Sequence, residues 1–347
     1  MSLQAPSFWW QKPGWQALAL WPLSYLYGRI AARRIMRKDR YRASVPVICI
    51  GNFTLGGAGK TPTALALAKA TMAMGLKPGF LSRGYGGSRR DTTVVDPTRH
   101  SAAEVGDEPL LLAALALTVI SPRRKDGAQE LERQGVDLII MDDGFQSAQL
   151  HLDLALLVVD SRKGAGNGFV FPAGPLRAPL GPQFSNLHVL LQVGDSDRAT
   201  PLVRRAARAG KPVLNASVCP VTVDPRLRTR TLAYAGIADP EKFYDSLRNI
   251  GSEIIIRKSF GDHQPLDQHA IADLLDTARA NGLQLVTTAK DMARLHGTDQ
   301  PRTIELIQQS LVLNIEMAFD DPAAPGLLIR QAREAFRTQK GRSGPMA

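Results

Sequence analysis

Two hydrophobic patterns divide the chain. Over residues 15–32, 13 of 18 positions are apolar or aromatic, interrupted by Gln16, Pro22, Ser24, Gly28 and Arg29. Past Ala43, short β-branched runs alternate with helical stretches. The runs 45–50, 79–82, 92–95, 118–120, 136–141, 155–159 and 189–193 predict strands, and 62–74, 104–116, 126–134 and 201–208 predict helices between them. Such alternation predicts an α/β fold with a mostly parallel sheet flanked by helices on both faces. The unbroken apolar character of 45–50 and 138–141 suits central strands. A smaller α/β unit is expected to follow, from strands at 231–235, 253–257 and 285–288 and helices at 240–250 and 266–280. The resulting division is an N-terminal segment over 1–42, a first domain over 43–215, a smaller one over 216–337 and a disordered tail over 338–347. Residues 160–183, rich in Gly, Pro and Arg, read as a long loop at a sheet edge.

Charge changes the picture at the N-terminus. The 347-residue chain has a formal net charge of +11, and residues 1–42 alone hold +7 of it. This concentration argues against a nucleic-acid groove running through the protein and for a local anionic partner. All four tryptophans, Trp9, Trp10, Trp15 and Trp21, lie in the same segment, ahead of Arg33, Arg34, Arg37, Lys38, Arg40 and Arg42. Trp prefers the water–lipid boundary and Arg and Lys pair with anionic head groups. Pro22 and Arg29 spoil a spanning helix, so a membrane-associating helix lying in the surface is expected. Cationic residues that follow the apolar stretch argue against a signal peptide. Two cysteines, Cys49 and Cys219, form no disulfide framework and fit a reducing compartment.

The stretch from Val45 to Thr61 carries the clearest chemistry. A strand ends, glycines turn the chain, and Lys60-Thr61 open a helix, which is the P-loop arrangement. Thr54, Gly56, Gly57, Ala58 and Gly59 would wrap backbone N–H groups around phosphate oxygens. Lys60 would reach the β and γ phosphates and Thr61 would hold Mg²⁺. Thr54 stands where the usual pattern has its first glycine. A P-loop by itself leaves kinase, GTPase and ATPase open. Asp142 and Asp143 end a buried strand, the position of a carboxylate that binds Mg²⁺, and Asp160 ends another. Gly106-Asp-Glu-Pro109 fits either a helix first turn or a catalytic acid.

Together these motifs resemble the tetraacyldisaccharide 4′-kinase (lipid A 4′-kinase) family. The matching pieces are Pro22-Leu-Ser-Tyr-Leu-Tyr27, the glycine loop from Gly51 to Pro62, Ser82-Arg-Gly-Tyr-Gly-Gly87, Gly106-Asp-Glu-Pro109 and Ser121-Pro-Arg-Arg124. Asp142-Asp-Gly-Phe-Gln146, Gly166-Asn-Gly168, Pro172-Ala-Gly-Pro-Leu-Arg177, Phe260-Gly-Asp-His263 and Thr287-Thr-Ala-Lys-Asp291 follow in order. The resemblance implies transfer of the ATP γ-phosphate to the 4′-hydroxyl of an acylated disaccharide 1-phosphate, at the cytoplasmic face of the bacterial inner membrane, with peripheral or monotopic attachment. It implies that Asp107 is the catalytic carboxylate and His263 its partner. It also implies that Asp142, Asp143 and Gln146 lie by the metal, and that Arg83, Arg124, Arg177 and Asn167 handle phosphate or substrate. A guanidinium suits phosphate by its fork of donors.

Four positions depart from the family pattern. Ser147 stands for a His, Ala178 for a Glu, Gln264 for a second His and Ala289 for a Glu. The alternative is a P-loop GTPase or ATPase switch, or a metallochaperone, at the membrane. A GTPase of that kind should carry Asn-Lys-x-Asp after a strand, and the nearest segment, Thr288-Ala-Lys-Asp291, lacks the Asn.

Overall fold

A computed structural model describes residues 5–221 and 224–342. The strands in chain order are β1 (Val47–Asn52), β2 (Pro78–Ser82), β3 (Thr93–Val94), β4 (Thr118–Ile120), β5 (Leu138–Asp142), β6 (Leu154–Asp160) and β7 (Val189–Val193). They continue as β8 (Val213–Pro220), β9 (Arg230–Ala235), β10 (Glu253–Ser259), β11 (Gln284–Thr288), β12 (Ser310–Leu313) and β13 (Ile315–Phe319). Nine form one sheet in the order β13-β8-β7-β6-β1-β5-β2-β4-β3, and four form a second in the order β10-β9-β11-β12. In the large sheet only the edge strands β3 and β13 run antiparallel. The small sheet is parallel throughout.

β1 lies between β5 and β6, and every residue of these three strands is buried. Helices cover both faces, so each face of a central strand needs apolar side chains and the sequence shows runs rather than alternation. The carboxyl ends of β1, β5 and β6 therefore open on one edge, where α/β sheets bind ligands.

The structure departs from the expected division in three ways. The boundary expected at 215/216 falls inside β8, a strand of the large sheet. After the small sheet the chain returns: β13 pairs with β8, and helix Ala324–Arg342 buries Leu328, Ile329 and Ala332 in the core beneath helix Lys60–Ala73. The physical reason is that β8 would otherwise be an open edge, which β13 pairs. The tail expected from 338 is helical as far as Arg342, and residues 343–347 lie outside the described part.

The helix expected over 104–116 is broken at Gly106 into Ala102–Val105 and Asp107–Ala113. Gly106 has φ 92°, and a Cβ there would lie 2.4 Å from the Tyr85 carbonyl oxygen. The break sets Asp107 in the first turn of a new helix.

Helix Trp15–Ile35 has an inverted distribution of size. Ala17, Ser24, Gly28 and Ile35 face the protein, with the Ser24 hydroxyl donating to the Val170 carbonyl at 2.6 Å. Trp15, Leu18, Trp21, Leu23, Tyr25, Leu26 and Ile30 face outward, each more than half exposed. Among the described residues no helix is long and apolar enough to cross a membrane. Trp9 departs from the expected pattern: it is buried, its indole donates to the Pro172 carbonyl at 3.0 Å, and its ring packs edge-on to Phe171. The segment 160–183 is thus an ordered platform for the N-terminus rather than a free loop.

Candidate active site

β1 delivers the chain to the glycine loop at the opening edge of the sheet. Gly51 is required by contact, since a Cβ there would meet that of Phe145 at 2.6 Å. Gly56 and Gly59 adopt φ 97° and 96°, and Lys60 and Thr61 then start a helix with both side chains buried. Thr54 forms an extended bridge with Leu176, a backbone state that needs no glycine. Its carbonyl accepts from Asn52 Nδ2 at 2.6 Å and from Arg177 Nε at 3.0 Å. Asn52 also donates to the Gly56 carbonyl at 3.0 Å and accepts from Lys60 Nζ at 3.3 Å. Asn52 and Arg177 thus hold the loop open with side-chain bonds. Ala58 is buried in the core under the loop, and Gly57 lies at the small unit, where a Cβ would come 3.9 Å from Ala238.

Asp142, the last residue of β5, is buried, and neither carboxylate oxygen has a hydrogen-bond partner among the described residues. Burial and the Glu108 charge push its pKa well above the usual carboxylate range, and Lys60 opposes them only in part. An orphaned buried carboxylate beside Lys60 and Thr61 calls for a cation, and Mg²⁺ fits: its kinase sites use one or two carboxylates and leave the rest to phosphate and water. Thr61 and Asp142 would hold it. Asp143 is committed elsewhere. It has φ 51° and pairs with both terminal nitrogens of Arg177 at 3.0 Å and with Lys60 at 3.7 Å. Gln146 donates to the Asn52 carbonyl at 3.2 Å.

Arg124 is buried, donates to the Ser121 carbonyl at 3.1 Å, and is lowered to about 10 by burial. Arg83 follows β2 and is exposed. Asn167 bonds within the platform: its amide donates to the Ala173 carbonyl at 2.9 Å and its backbone N–H to that of Trp9 at 2.7 Å. Its structural task is to join the N-terminal turn to the platform. Ala178 is fully buried and its carbonyl accepts from Gln183 at 2.7 Å. The Ser147 hydroxyl is buried and has no hydrogen-bond partner among the described residues.

The smaller unit supplies the other side. His263 sits in a tight turn after β10, with φ 57°. Gln264 closes that turn, its side chain accepting from Gly261 N–H at 2.9 Å and its N–H donating to the Gly261 carbonyl at 3.0 Å. His263 Nδ1 is 3.1 Å from both oxygens of Asp107, so two residues 156 positions apart meet as a pair. The imidazole pKa is raised, first by this hydrogen bond and against burial. For Asp107 burial opposes ionisation, but the His263 bond and the Arg294 and Lys290 charges outweigh it and hold the group well below the usual carboxylate range.

The motifs contain Glu108 and Lys290 without assigning them a role, and Arg294 lies outside them. Glu108 pairs with Lys290, and Arg294 pairs with Asp107. Glu108 also feels the charge of Lys60, which ties the pair to the P-loop electrostatically. The available signal was helical spacing: Arg294 lies one turn beyond Lys290-Asp291, which ends the last matching motif. Further ion pairs close the two units on the β6 side, Lys242 to Asp160 at 2.5 Å, Arg162 to Asp245 at 2.8 Å and Lys163 to Asp239 at 2.9 Å.

A strand, glycine turn and helix bearing Lys60-Thr61, next to a strand-end carboxylate, define a P-loop phosphate-handling site. The sequence profile of the LpxK family, tetraacyldisaccharide-1-P 4′-kinase, matches residues 16–333, and the chain belongs to that family. The tetraacyldisaccharide 4′-kinase of Allorhizobium ampelinum is 64% identical over 346 residues, covering 98% of this chain and 100% of that protein. That of Rhizobium meliloti is 56% identical, with 98% of each chain covered. The crystal structure of LpxK from Aquifex aeolicus in complex with ATP superimposes with a TM-score of 0.69 at 26% identity, covering 91% of this chain and 99% of that one.

Proposed function

We propose that the protein transfers the γ-phosphoryl group of ATP to the 4′-hydroxyl of a tetraacyldisaccharide 1-phosphate in lipid A biosynthesis, as its family membership implies. The observation that carries the site assignment is the meeting of Asp107 and His263 across the two units, beside a P-loop. In the reaction the bond from the γ-phosphorus to the bridging oxygen breaks and one to the sugar oxygen forms. The hydroxyl proton passes to the Asp107–His263 pair. Lys60 and the loop N–H groups bind phosphate oxygens, and Arg177, Arg124 and Arg83 compensate developing charge. Mg²⁺, when held by Thr61 and Asp142, supplies neutralisation of the transferring phosphoryl oxygens. Asp143 keeps Arg177 and Lys60 aimed into the site. Incubating the pure protein with γ-labelled ATP and the lipid disaccharide should label the lipid. Release of inorganic phosphate only, with no labelled lipid, would favour the NTPase-switch alternative instead.

The outward face of helix Trp15–Ile35 supports docking on an anionic membrane through residues 1–42. A helix that turns its small residues inward and its Trp, Tyr and Leu outward presents a continuous apolar face to the substrate's own phase. Because Trp9 and Ile35 are packed inside, the test changes outward residues only. Replacing Trp15, Leu18, Trp21 and Leu26 together by Ser is expected to weaken sedimentation with phosphatidylglycerol vesicles by more than about tenfold, with ATP binding unchanged. Undiminished sedimentation would mean that another surface docks.

A further inference from the structure

The excess positive charge of the chain sits on two segments. Residues 161–223 carry eight Lys or Arg against Asp195 and Asp197. Together with the +7 of residues 1–42 they exceed the net +11 of the whole, so the remainder of the chain is slightly negative. Part of the charge in 161–223 is compensated: Arg162 and Lys163 pair with Asp245 and Asp239, and Arg177 pairs with Asp143. Most of the rest gathers on helix Thr200–Arg208, which contains no acidic residue. Leu202 and Ala206 of that helix are buried in the core, while Arg204, Arg205 and Arg208 are exposed. Positions 204 and 208 are one turn apart and 205 lies beside them, so the three guanidinium groups share one face. Among the described residues none of the three makes an ion pair.

The two charged segments meet at helix Leu180–Asn186. The Asn186 amide donates to Met36 Sδ at 3.5 Å, just past the end of helix Trp15–Ile35. Two positions back, the Phe184 ring carries the Arg205 guanidinium at 4.8 Å. Ile35, Phe184, Leu202 and Ala206 belong to one core cluster beneath them. The end of helix Trp15–Ile35 and the chain just after it expose Arg33, Arg34, Arg37 and Lys38. These cations and the Arg204–Arg205–Arg208 face therefore flank the same short helix, separated by roughly one helix diameter of 10 Å. That is about one Debye length at physiological salt, so the two sets of charges add into one field.

We infer that the Arg204–Arg205–Arg208 face is a second docking surface for anionic lipid head groups, continuous with the outward face of helix Trp15–Ile35 and resting on the proposed docking of that helix. The apolar residues of Trp15–Ile35 enter the acyl boundary, and the arginines beside it engage phosphates at head-group depth. A guanidinium suits a phosphate by its fork of donors. The exposed positions between the arginines are small, Pro201, Ala207, Ala209 and Gly210, so a flat surface can approach closely. Lipid is favoured over a soluble polyanion because the cations border exposed Leu18, Leu23, Leu26 and Ile30, which a bilayer covers and a phosphodiester backbone does not. The second contact has a mechanical consequence. A single in-plane helix leaves the body free to roll about the helix axis. A charged contact to one side removes that freedom and fixes how the site faces the lipid phase.

The test measures sedimentation of the full chain with phosphatidylglycerol and with phosphatidylcholine vesicles, at low and high salt. It compares the wild type with Arg204→Gln/Arg205→Gln/Arg208→Gln, Arg204→Gln/Arg208→Gln, Arg204→Lys/Arg208→Lys and the Ser variant of Trp15, Leu18, Trp21 and Leu26. A cation near an anionic surface contributes about fivefold, so the triple Gln variant should lose more than about thirtyfold on phosphatidylglycerol and the double about tenfold. Both should keep the wild-type binding to phosphatidylcholine, and their binding should fall less steeply with salt. The Lys variant keeps the charge and should bind like the wild type. Turnover in neutral detergent micelles should be the same in all the arginine variants. A folded triple variant within about twofold of wild type on phosphatidylglycerol would overturn the inference, as would an equal loss on both lipids. If the triple variant does not fold because Arg205 no longer covers Phe184, the double variant decides. Anisotropy of a labelled single-stranded RNA covers the other occupant: RNA that displaces the vesicles, and whose binding the triple variant loses, would assign the face to nucleic acid instead. Undiminished binding by the Ser variant would remove the docking of helix Trp15–Ile35, on which the inference rests, whatever the arginine variants do.

Discussion

Lys60→Ala is expected to lower kcat on the order of 10³-fold while leaving the fold intact. The ammonium is a charge aimed at transferring phosphoryl oxygens, and phosphoryl transfer depends on positioned charge more than on covalent chemistry. Its structural contacts are replaceable: among the described residues Nζ has the Asn52 side-chain oxygen at 3.3 Å and Asp143 at 3.7 Å. Asp143 keeps its hydrogen bond and its ion-pair contact to Arg177 when Lys60 is shortened. Single-turnover transfer from labelled ATP checks the prediction, with a thermal melt to verify folding. A folded variant within threefold (roughly) of wild type would remove Lys60 from the phosphate site.

Asp107→Asn and His263→Ala are each expected to lower kcat by about 10² to 10³-fold, with ATP affinity little changed. The double variant should cost far less than the product of the two, because groups that act as a unit are not additive. Asn is chosen at 107 because Ala would leave Nε and Nη2 of the buried Arg294 guanidinium without their acceptor, with only Nη1 still held by Asp291 and the Gly236 carbonyl, a loss on the order of 1–3 kcal/mol in stability. Asn keeps the shape and one acceptor oxygen. Losses that multiply in the double variant would mean that the two residues act on separate steps.

The central sheet was legible because strands buried on both faces must be apolar throughout, and 45–50 and 138–141 carry that pattern in β1 and β5. The P-loop was legible for a different reason. A tight turn that brings N–H groups together restricts residue types at fixed spacing, and the positive φ of Gly56 and Gly59 meets that demand. The break at Gly106 was not legible, because the forcing contact is the Tyr85 carbonyl, 21 positions earlier, which approaches only in the folded chain. Nor was the buried role of Trp9, whose partners Phe171 and Pro172 lie far along the chain.

What the sequence determined by itself is what local constraints encode. These are the order of strands β1 to β7 and β9 to β11, the glycine turn ahead of Lys60, the carboxylate that ends β5, the apolar and cationic N-terminus, and a family resemblance spread over matching motifs. Each depends on neighbours a few positions away, where burial period, turn geometry and charge leave a direct trace. The tertiary structure alone decided which distant groups touch. It returned β13 and the last helix to the large sheet, turned the small residues of Trp15–Ile35 inward, and committed Asp143 to Arg177 while leaving Asp142 bare. It also placed Arg294 on a carboxylate 187 positions away. Such contacts leave no period in the chain, because a single salt bridge between two units depends on how their sheets are set against each other, and many sequences of the same local pattern would set them differently.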